Sequence, residues 1–185
     1  MSEAVKWLIA SDIHGSAYYC ELLLERLQKE GADSVLLLGD LLYHGPRNDL
    51  PRDYDPKRVI GMLNGISDQI FCVRGNCEAE VDQMVLDFPV MAEFCLLTLG
   101  KRRIFATHGH IYNNGALPKL RPGDVLLHGH THVPALKELG SHIYINPGSV
   151  SIPKEESPHS YMTLEEGCFL WKELETGKEY MRLEV

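Results

Sequence analysis

Five segments of the chain share one pattern, an apolar run that ends abruptly in Asp, His or Asn beside a glycine. They are Ser11-Asp12-Ile13-His14-Gly15, Gly39-Asp40, Gly75-Asn76, Thr107-His108-Gly109-His110 and His128-Gly129-His130-Thr131-His132. In α/β sheets, ligands and active sites gather at the carboxyl ends of strands, so we expect these five ends to converge on one place. The i, i+2 spacing of Asp12 and His14, and of His130 and His132, allows two side chains on the same side of an extended segment.

Taken singly, several of these segments have purely structural explanations. A Gly-Asp pair after an apolar strand is often only a turn, and an isolated Asp-x-His is a weaker signal still. The segment 128–132 is different, because three histidines within five residues after a buried strand would be costly to bury without partners. The five segments in this order therefore favour metal binding.

Strands and helices that could carry these residues are predicted to alternate in the first half of the chain. Apolar runs predict strands at 7–11, 34–40 and 69–76, and helical spacing predicts helices at 17–31, 55–67 and 78–88. Gly31 is expected to end the first helix, and Asp55 followed by Pro56 to begin the second. Glu78, Glu80 and Asp82 are expected to form a solvated helix face.

After Pro89 the chain changes to short β-like runs separated by Gly-containing turns, and this pattern continues to the C-terminus. Helices in the first half and strands in the second suggest two sheets packed together with helices outside. No internal repeat or linker is visible, so we expect one domain over residues 1–185.

The composition, 44% apolar and 24% charged, is that of an ordinary soluble globular protein. No apolar run approaches the ~18 residues of a membrane span, and the mixed N-terminal stretch MSEAVK does not resemble a signal peptide. Five scattered cysteines without a CxxC pair indicate reduced thiols and a cytoplasmic protein. The net charge of −8 makes stable nucleic-acid binding unexpected, although it does not exclude a nuclease acting at a local metal site.

The order of these motifs resembles the signature of the calcineurin-like metallophosphoesterase superfamily. The order is Asp-x-His, Gly-Asp, Gly-Asn, a His before Gly, and Gly-His-x-His. The blocks ASDIHGS, HGPRN, VRGNCEAEVDQM, THGH, HGHTH and NPGSVSIPK are similar to those of the bacterial YfcE-type phosphodiesterases. The resemblance spans the chain and implies an α/β fold, a four-layer α-β-β-α sandwich of two mixed sheets flanked by helices. The strand pattern is compatible with this fold.

The resemblance also implies two divalent metal ions held by seven side chains. These are Asp12, His14 and His132 for the first ion, Asn76, His108 and His130 for the second, and Asp40 for both. A carboxylate suits the shared position because its two oxygens can each bind one ion. Nitrogen and oxygen ligands without a thiolate suit Mn²⁺, Fe, Ni²⁺, Co²⁺ or Zn²⁺, and the resemblance favours Mn²⁺.

Such a centre suits phosphate esters. Two divalent ions bring four positive charges, two aspartates remove two, and a bridging hydroxide leaves one to meet an anionic phosphoryl group. The resemblance implies a phosphodiesterase in which that hydroxide attacks phosphorus, with Asp40, Asn76 and His108 catalytic as metal ligands. A phosphomonoesterase or small-nucleotide hydrolase is the alternative enzyme. A non-catalytic interaction scaffold, as in the retromer subunit with this fold, is a third possibility, but none of the seven ligands is missing.

Three further residues are candidates for contact with a small phosphodiester substrate. Arg47 could hold a phosphate oxygen through its planar fork, although a solvated loop arginine is equally expected. His110 could face the substrate. Cys77 stands where many superfamily members have the His that protonates the leaving group, which predicts a preference for esters with easy leaving groups. Alternatively, Cys77 is a small residue packed behind Asn76. A homo-oligomer is compatible with all of this.

Overall fold

The computed structural model describes residues 5–185, which form eleven strands, three α-helices and one 3₁₀ helix arranged around two mixed sheets. This confirms the predicted α/β sandwich of two mixed sheets. Residues 1–4, on which the expectation about a signal peptide partly rests, lie outside the described residues. Among residues 5–185, no helix is both long and apolar enough to cross a membrane.

The first sheet contains six strands: β1 Trp7–Ala10, β2 Ser34–Leu37, β3 Ile70–Cys72, β9 Ser160–Glu165, β10 Cys168–Glu173 and β11 Glu179–Glu184. Their order is β11-β10-β9-β1-β2-β3. The pairs β1–β2 and β2–β3 are parallel, and β9, β10 and β11 pair antiparallel. The carboxyl ends of β1, β2 and β3 therefore lie at the same edge of this sheet.

The second sheet contains five strands: β4 Phe94–Leu99, β5 Arg102–Thr107, β6 Asp124–His128, β7 Ala135–Glu138 and β8 His142–Asn146. Their order is β4-β5-β6-β8-β7, with β5, β6 and β8 parallel and an antiparallel strand at each edge. The carboxyl ends of β5 and β6 therefore also share one edge.

Alternating side chains divide the core into layers, as the period of two in a strand requires. Ile9 and Leu36 of the first sheet pack against Ala106 and Leu127 of the second, so one core cluster lies between the sheets. On the opposite face of the first sheet, the intervening residues, such as Leu8, pack against the helices.

The outer face of the second sheet carries a smaller apolar cluster made by Phe105, Leu126 and Tyr144. Tyr112 and Leu120 from the segment between β5 and β6 pack against it. In the part of the chain that the structure describes, this face is thus covered by a loop, whereas the helices cover the first sheet.

The first helix begins and ends where the sequence predicts, and the second begins as predicted but ends three residues before the predicted residue 67. Helix α1, Ala17–Glu30, is capped by Gly31 in the left-handed conformation at φ 61°. Helix α2, Pro56–Asn64, begins after Asp55, whose carboxylate accepts the Arg58 N–H. A 3₁₀ turn at Ser67–Gln69 then leads into β3.

The predicted helix at 78–88 is wrong in extent, because α3 spans only Glu80–Gln83. The side chain of Gln83 donates to the carbonyls of Leu86 and Phe88 and accepts the N–H of Val90. These bonds pair backbone groups of the irregular segment that follows α3, so the chain leaves the helix without leaving these groups unpaired.

Candidate metal centre

The carboxyl ends of five strands from both sheets surround one site. All seven predicted ligands lie in the turns that follow these strands: Asp12 and His14 after β1, Asp40 after β2, Asn76 after β3, His108 after β5, and His130 and His132 after β6. The structure therefore brings together every residue that the sequence predicts as a metal ligand.

The first ligand set, Asp12, His14 and His132, is almost completely buried. The Nε2 atoms of His14 and His132 lie 3.2 Å apart, and Asp12 Oδ1 lies 3.6 Å and 3.3 Å from them. Each ring is oriented by its other nitrogen: His14 Nδ1 donates to the Tyr43 carbonyl at 2.7 Å, and His132 Nδ1 to the Ile152 carbonyl at 2.6 Å. Because a carbonyl only accepts, Nδ1 carries the proton in each neutral ring and Nε2 presents its lone pair to the site.

This first set fits a metal ion on its own geometry. The two Nε2 atoms lie 3.2 Å apart, so two facing lone pairs would repel, and either a proton or a metal ion must lie between them. Asp12 Oδ1 is buried and receives no hydrogen bond from the described residues, which is costly for a carboxylate oxygen. A divalent cation bound by these three atoms, which all lie within 4.8 Å of one another, would satisfy all of them.

The Asp12 carboxylate is held in its ionised form. Burial opposes ionisation, but hydrogen bonds from the His132 and His14 rings, in the forms that carry a proton on Nε2, outweigh that effect. They keep the pKa of Asp12 well below its usual range. An ionised carboxylate is the form that a metal ion requires.

The second ligand set, Asn76, His108 and His130, has a similar arrangement. His108 Nε2 lies 3.1 Å from Asn76 Oδ1 and 3.1 Å from His130 Nδ1. His108 Nδ1 donates to the Leu38 carbonyl at 2.7 Å, so its Nε2 also points its lone pair inward. Burial, followed by the neighbouring His108, lowers the pKa of His130 to about 4, so this ring is neutral at physiological pH.

Asp40 lies between the two sets. Its Oδ2 is 3.7 Å from His14 Nε2 in the first set and 3.5 Å from His108 Nε2 in the second. Its Oδ1 accepts the Cys77 backbone N–H at 2.9 Å. Asp40 is thus the side chain that connects the two sets, and the expected use of one carboxylate oxygen for each ion stays a prediction.

Left-handed backbone places most of these side chains. Five of the seven predicted ligands have positive φ: Asp12 at 61°, His14 at 50°, Asp40 at 57°, His130 at 64° and His132 at 62°. This conformation costs a residue other than glycine on the order of 1–2 kcal/mol, and such strain concentrates at functional sites. The predicted extended backbone for the two i, i+2 pairs is therefore wrong, since tight left-handed turns bring their members together.

Glu78 supports the turns after β2 and β3, and its prediction as part of a solvated helix face is wrong. The side chain is buried, and its carboxylate accepts the backbone N–H groups of Asp40 at 2.9 Å, Leu41 at 2.7 Å and Gly75 at 2.5 Å. Burial, followed by the Asp40 charge, raises the pKa of Glu78. Its carboxylate ties the turn that carries Asp40 to the turn that carries Asn76.

A second support, which the sequence analysis missed, comes from the segment 146–151 after β8. The hydroxyls of Ser149 and Ser151 each donate to the Asp12 carbonyl at 3.0 Å. The Asn146 side chain donates to the Gly129 carbonyl at 2.9 Å and to the Thr131 hydroxyl at 3.0 Å. Polar residues in a buried stretch were the available signal, because such groups need partners.

A cleft of about 430 Å³ opens onto this site. Arg47 and Cys77 line it, as do Asn48 and Lys154, which the sequence analysis did not identify. His110 lies beside the second set, with its ring centroid 5.4 Å from that of His108, but it is not among the described residues that line the cleft. Contact between substrate and Arg47, Cys77 or His110 stays a prediction.

Cys77 is more than a residue packed behind Asn76. Its thiol donates to Asp40 Oδ2 at 3.3 Å, and its Sγ accepts the Asn76 amide at 3.2 Å. Burial, and then the negative charge of Asp40, raise the pKa of the Cys77 thiol. The thiol therefore keeps its proton at neutral pH.

Known proteins provide an independent comparison. The family model described as the calcineurin-like phosphoesterase superfamily domain matches residues 5–167. The chain is 47% identical over 161 residues to phosphodiesterase YfcE of Escherichia coli, covering 87% of this chain and 88% of that protein. The solved structure of YfcE, described as a phosphoesterase, matches with a TM-score of 0.94 and 42% identity over 98% of this chain and 100% of that chain. Wild-type Vps29 of Entamoeba histolytica, solved with zinc, shares the fold at a TM-score of 0.62 and 21% identity, over 97% of this chain and 98% of that one.

Proposed function

This chain belongs to the calcineurin-like phosphoesterase superfamily, and we propose that it hydrolyses phosphodiesters with two divalent metal ions held by the seven predicted side chains. The observation that carries this proposal is the position of Asp40, whose Oδ2 faces one histidine of each ligand set. The identity of 47% with a protein named phosphodiesterase supports diesters as the substrate class.

Two divalent ions in this site would polarise a phosphate group and lower the pKa of water to about 7. The protein orients the histidine side chains. His14, His108 and His132 each present an Nε2 lone pair that a backbone carbonyl fixes in direction through Nδ1. Because these groups are already oriented, little reorganisation is needed when the ions and the substrate bind.

We propose that the metal is manganese. Fe, Ni²⁺, Co²⁺ and Zn²⁺ are alternatives, because they also bind nitrogen and oxygen ligands. Five free cysteines lie among residues 5–185, and this supports a cytoplasmic location, where thiols stay reduced. The substrate that we propose is a small phosphodiester, without stable binding of nucleic acid, and assembly into a homo-oligomer is compatible with this function.

Two alternatives follow from the same fold. The likeness to Vps29 concerns the fold alone, and a scaffold without catalysis would not need a complete ligand set. The presence of all seven side chains around one site favours an enzyme. A phosphomonoesterase or small-nucleotide hydrolase would use the same ligands and differ in the groups that surround the phosphate.

The test is hydrolysis by protein stripped of metal, with each divalent ion then added back. Bis(4-nitrophenyl) phosphate and 4-nitrophenyl phosphate serve as the diester and the monoester. We expect no turnover without metal and faster turnover of the diester than of the monoester, most strongly with Mn²⁺. Faster turnover of the monoester would favour the phosphatase alternative, and no turnover with any metal would overturn the enzyme proposal.

A further inference from the structure

Two basic side chains, Arg47 and Lys154, line the cleft above the proposed metal centre. Neither takes part in an ion pair within residues 5–185. Among the described residues that line the cleft, the one acidic side chain is Asp40, a proposed metal ligand. The cleft is thus locally basic in a chain whose net charge is −8, and such a local field attracts anions.

Lys154 is held in place by its backbone although the side chain is exposed. Its N–H donates to the His132 carbonyl at 3.1 Å, and its carbonyl accepts both the N–H and the hydroxyl of Ser157, at 3.1 Å and 2.6 Å. The next two residues, Glu155 and Glu156, are left-handed at φ 54° and 57°. A lysine that contacts only solvent does not need a backbone fixed by so many contacts. These contacts therefore indicate that the position of Lys154 matters.

Arg47 also stands on a braced turn. The Asn48 N–H donates to the Gly45 carbonyl at 3.4 Å, and the Asn48 side chain donates to the His44 carbonyl at 2.8 Å. Gly45 has a φ of 80°, and Pro46 restricts the turn further. The turn therefore presents Arg47 from a defined backbone position.

Both turns are tied to the first ligand set. The Tyr43 carbonyl, at the start of the Arg47 loop, accepts from His14 Nδ1. The Ile152 carbonyl, two residues before Lys154, accepts from His132 Nδ1. The basic side chains of Arg47 and Lys154 are therefore positioned relative to the same pair of histidines. Their distance from the place where the phosphate would bind is set by the same contacts.

The charge balance of the site indicates what Arg47 and Lys154 bind. Two divalent ions, less the two carboxylates Asp12 and Asp40 and a bridging hydroxide, would leave one positive charge. This charge already balances the single negative charge of a phosphodiester, so the scissile group needs no further cation. We propose that Arg47 and Lys154 bind a second anionic group, a carboxylate or phosphate, on the same substrate. The inference rests on the proposed function and narrows its substrates to small phosphodiesters that carry an additional negative charge.

The size of the cleft and the chemistry of the two side chains agree with this substrate class. A volume of about 430 Å³ is in the range of sites for small organic ligands. The guanidinium of Arg47 can form paired hydrogen bonds to two oxygens of one group, and the ammonium of Lys154 adds a mobile positive charge.

The kinetic test uses two esters with the same leaving group, propyl 4-nitrophenyl phosphate and 2-carboxyethyl 4-nitrophenyl phosphate. We expect the wild type to favour the carboxylate ester by about 10-fold in kcat/KM. Lys154→Met and Arg47→Met should each reduce that preference by about 3- to 10-fold, since a hydrogen bond to a charged group in a partly open site has roughly this effect. The loss should appear in KM, because the remote group binds equally in the ground and transition states.

Matched variants separate a substrate contact from a general effect of charge or folding. Lys154→Arg keeps the cation and should retain most of the preference. Lys178→Met removes the same charge from an exposed turn of the first sheet and should keep the wild-type ratio. Equal loss of preference in Lys178→Met and Lys154→Met would contradict the inference.

A binding measurement gives a readout that does not depend on turnover. Calorimetry with the manganese-loaded protein compares propyl methylphosphonate with 2-carboxyethyl methylphosphonate, in which methyl replaces the leaving group. Tighter binding of the carboxylate, lost in Lys154→Met, supports the inference. Equal rates and equal binding of each pair overturn it and leave the diesterase proposal intact. No hydrolysis of either ester contradicts the proposed function, and the binding comparison then still decides whether the cations recognise the anion.

Discussion

At the scale of single residues, we expect the thiol of Cys77 to limit which diesters react. It donates to Asp40 Oδ2, and burial together with the Asp40 charge raises its pKa. A thiol that holds its proton at neutral pH is a poor donor to a departing alkoxide. Proton donation to a leaving group is worth about 10²–10⁴-fold in rate, so esters whose leaving groups depart unprotonated should react best.

The variant Cys77→His tests this point, because an imidazole at this position could donate a proton. We expect it to raise kcat for a diester with an alkyl leaving group by up to about 100-fold, and to change kcat for an aryl leaving group far less. Steady-state assays of released alcohol and released nitrophenol measure the two rates. Cys77→Ala is the control and should keep the wild-type ratio, whereas an equal change on both esters in Cys77→His would refute the role.

At the scale of secondary-structure elements, the site depends on contacts between turns that follow different strands. Glu78 joins the turns after β2 and β3, and the serines of 146–151 hold the turn after β1. Five of the seven predicted ligands have left-handed backbone, which costs conformational energy that these contacts help to offset.

Glu78→Gln should weaken both stability and metal binding. The amide keeps the size of the side chain but has a single acceptor oxygen, so it leaves one or more backbone N–H groups of Asp40, Leu41 and Gly75 without a partner. We expect a loss of about 1–3 kcal/mol in the free energy of unfolding, measured with urea, and a lower affinity for Mn²⁺. Glu80→Gln, on the exposed side of α3, is the control. Wild-type stability and wild-type Mn²⁺ affinity in Glu78→Gln would show that these bonds do not support the site.

Gly129→Ala should damage the site by steric overlap. A Cβ there would lie 1.9 Å from Ser11 Oγ and 2.8 Å from Asp12 Oδ2, so the turns after β1 and β6 must separate. We expect at least about 10-fold weaker Mn²⁺ binding, which calorimetry measures. Gly61→Ala in α2 meets open space and should instead stabilise the fold by about 0.5–1 kcal/mol without loss of metal affinity. Mn²⁺ affinity in Gly129→Ala equal to that of the wild type would contradict this packing account.

The convergence of the seven side chains could be predicted because each follows an apolar strand and parallel strands end at a common edge. Their assignment to two metal ions came from the family resemblance. Their left-handed backbone could not be predicted, since Asp and His also occupy ordinary turns and nothing local requires positive φ. Glu78 was misassigned because its three partners lie in turns that only the folded chain brings together. The end of α3 was missed for a similar reason, because the side chain of Gln83 pairs backbone groups of the segment that follows the helix, and local periodicity does not show these bonds.

At the scale of the whole molecule, one charged cluster joins the helix layer to the first sheet. Glu30, at the end of α1, accepts bonds from Lys172 of β10 at 2.7 Å and 2.8 Å and from the Tyr161 hydroxyl of β9 at 2.7 Å. These partners are more than 130 residues away in sequence, so local patterns gave no sign of the cluster. Its charge state links the stability of the fold to pH.

Burial opposes ionisation of Glu30, but the bonds from Lys172 and Tyr161 outweigh it and lower the pKa of Glu30. Because the folded pKa lies below the unfolded one, this carboxylate contributes its full stability above the unfolded pKa of about 4.3. That contribution is lost as the pH falls through the folded pKa. Glu30→Gln should therefore be less stable at pH 7 and show a shallower loss of stability from pH 5 to pH 3, measured by urea unfolding.

Glu25→Gln is the matched control for this prediction. Glu25 pairs with Lys29 on the exposed surface of α1, where ion pairs contribute little to stability. Its substitution should leave the acid limb of the stability profile close to that of the wild type. An acid limb in Glu30→Gln as steep as that of Glu25→Gln would show that the buried cluster does not carry the pH dependence.

The central claim is that one site holds two metal ions that act together on a phosphodiester. The most direct measurement is the number of Mn²⁺ ions bound per chain at the point where diesterase activity reaches its plateau, determined by equilibrium dialysis with elemental analysis. We predict two ions per chain in the wild type, and fewer than one in Asp40→Asn, since the shared carboxylate faces both ligand sets. Full activity with one bound ion or none would contradict the claim.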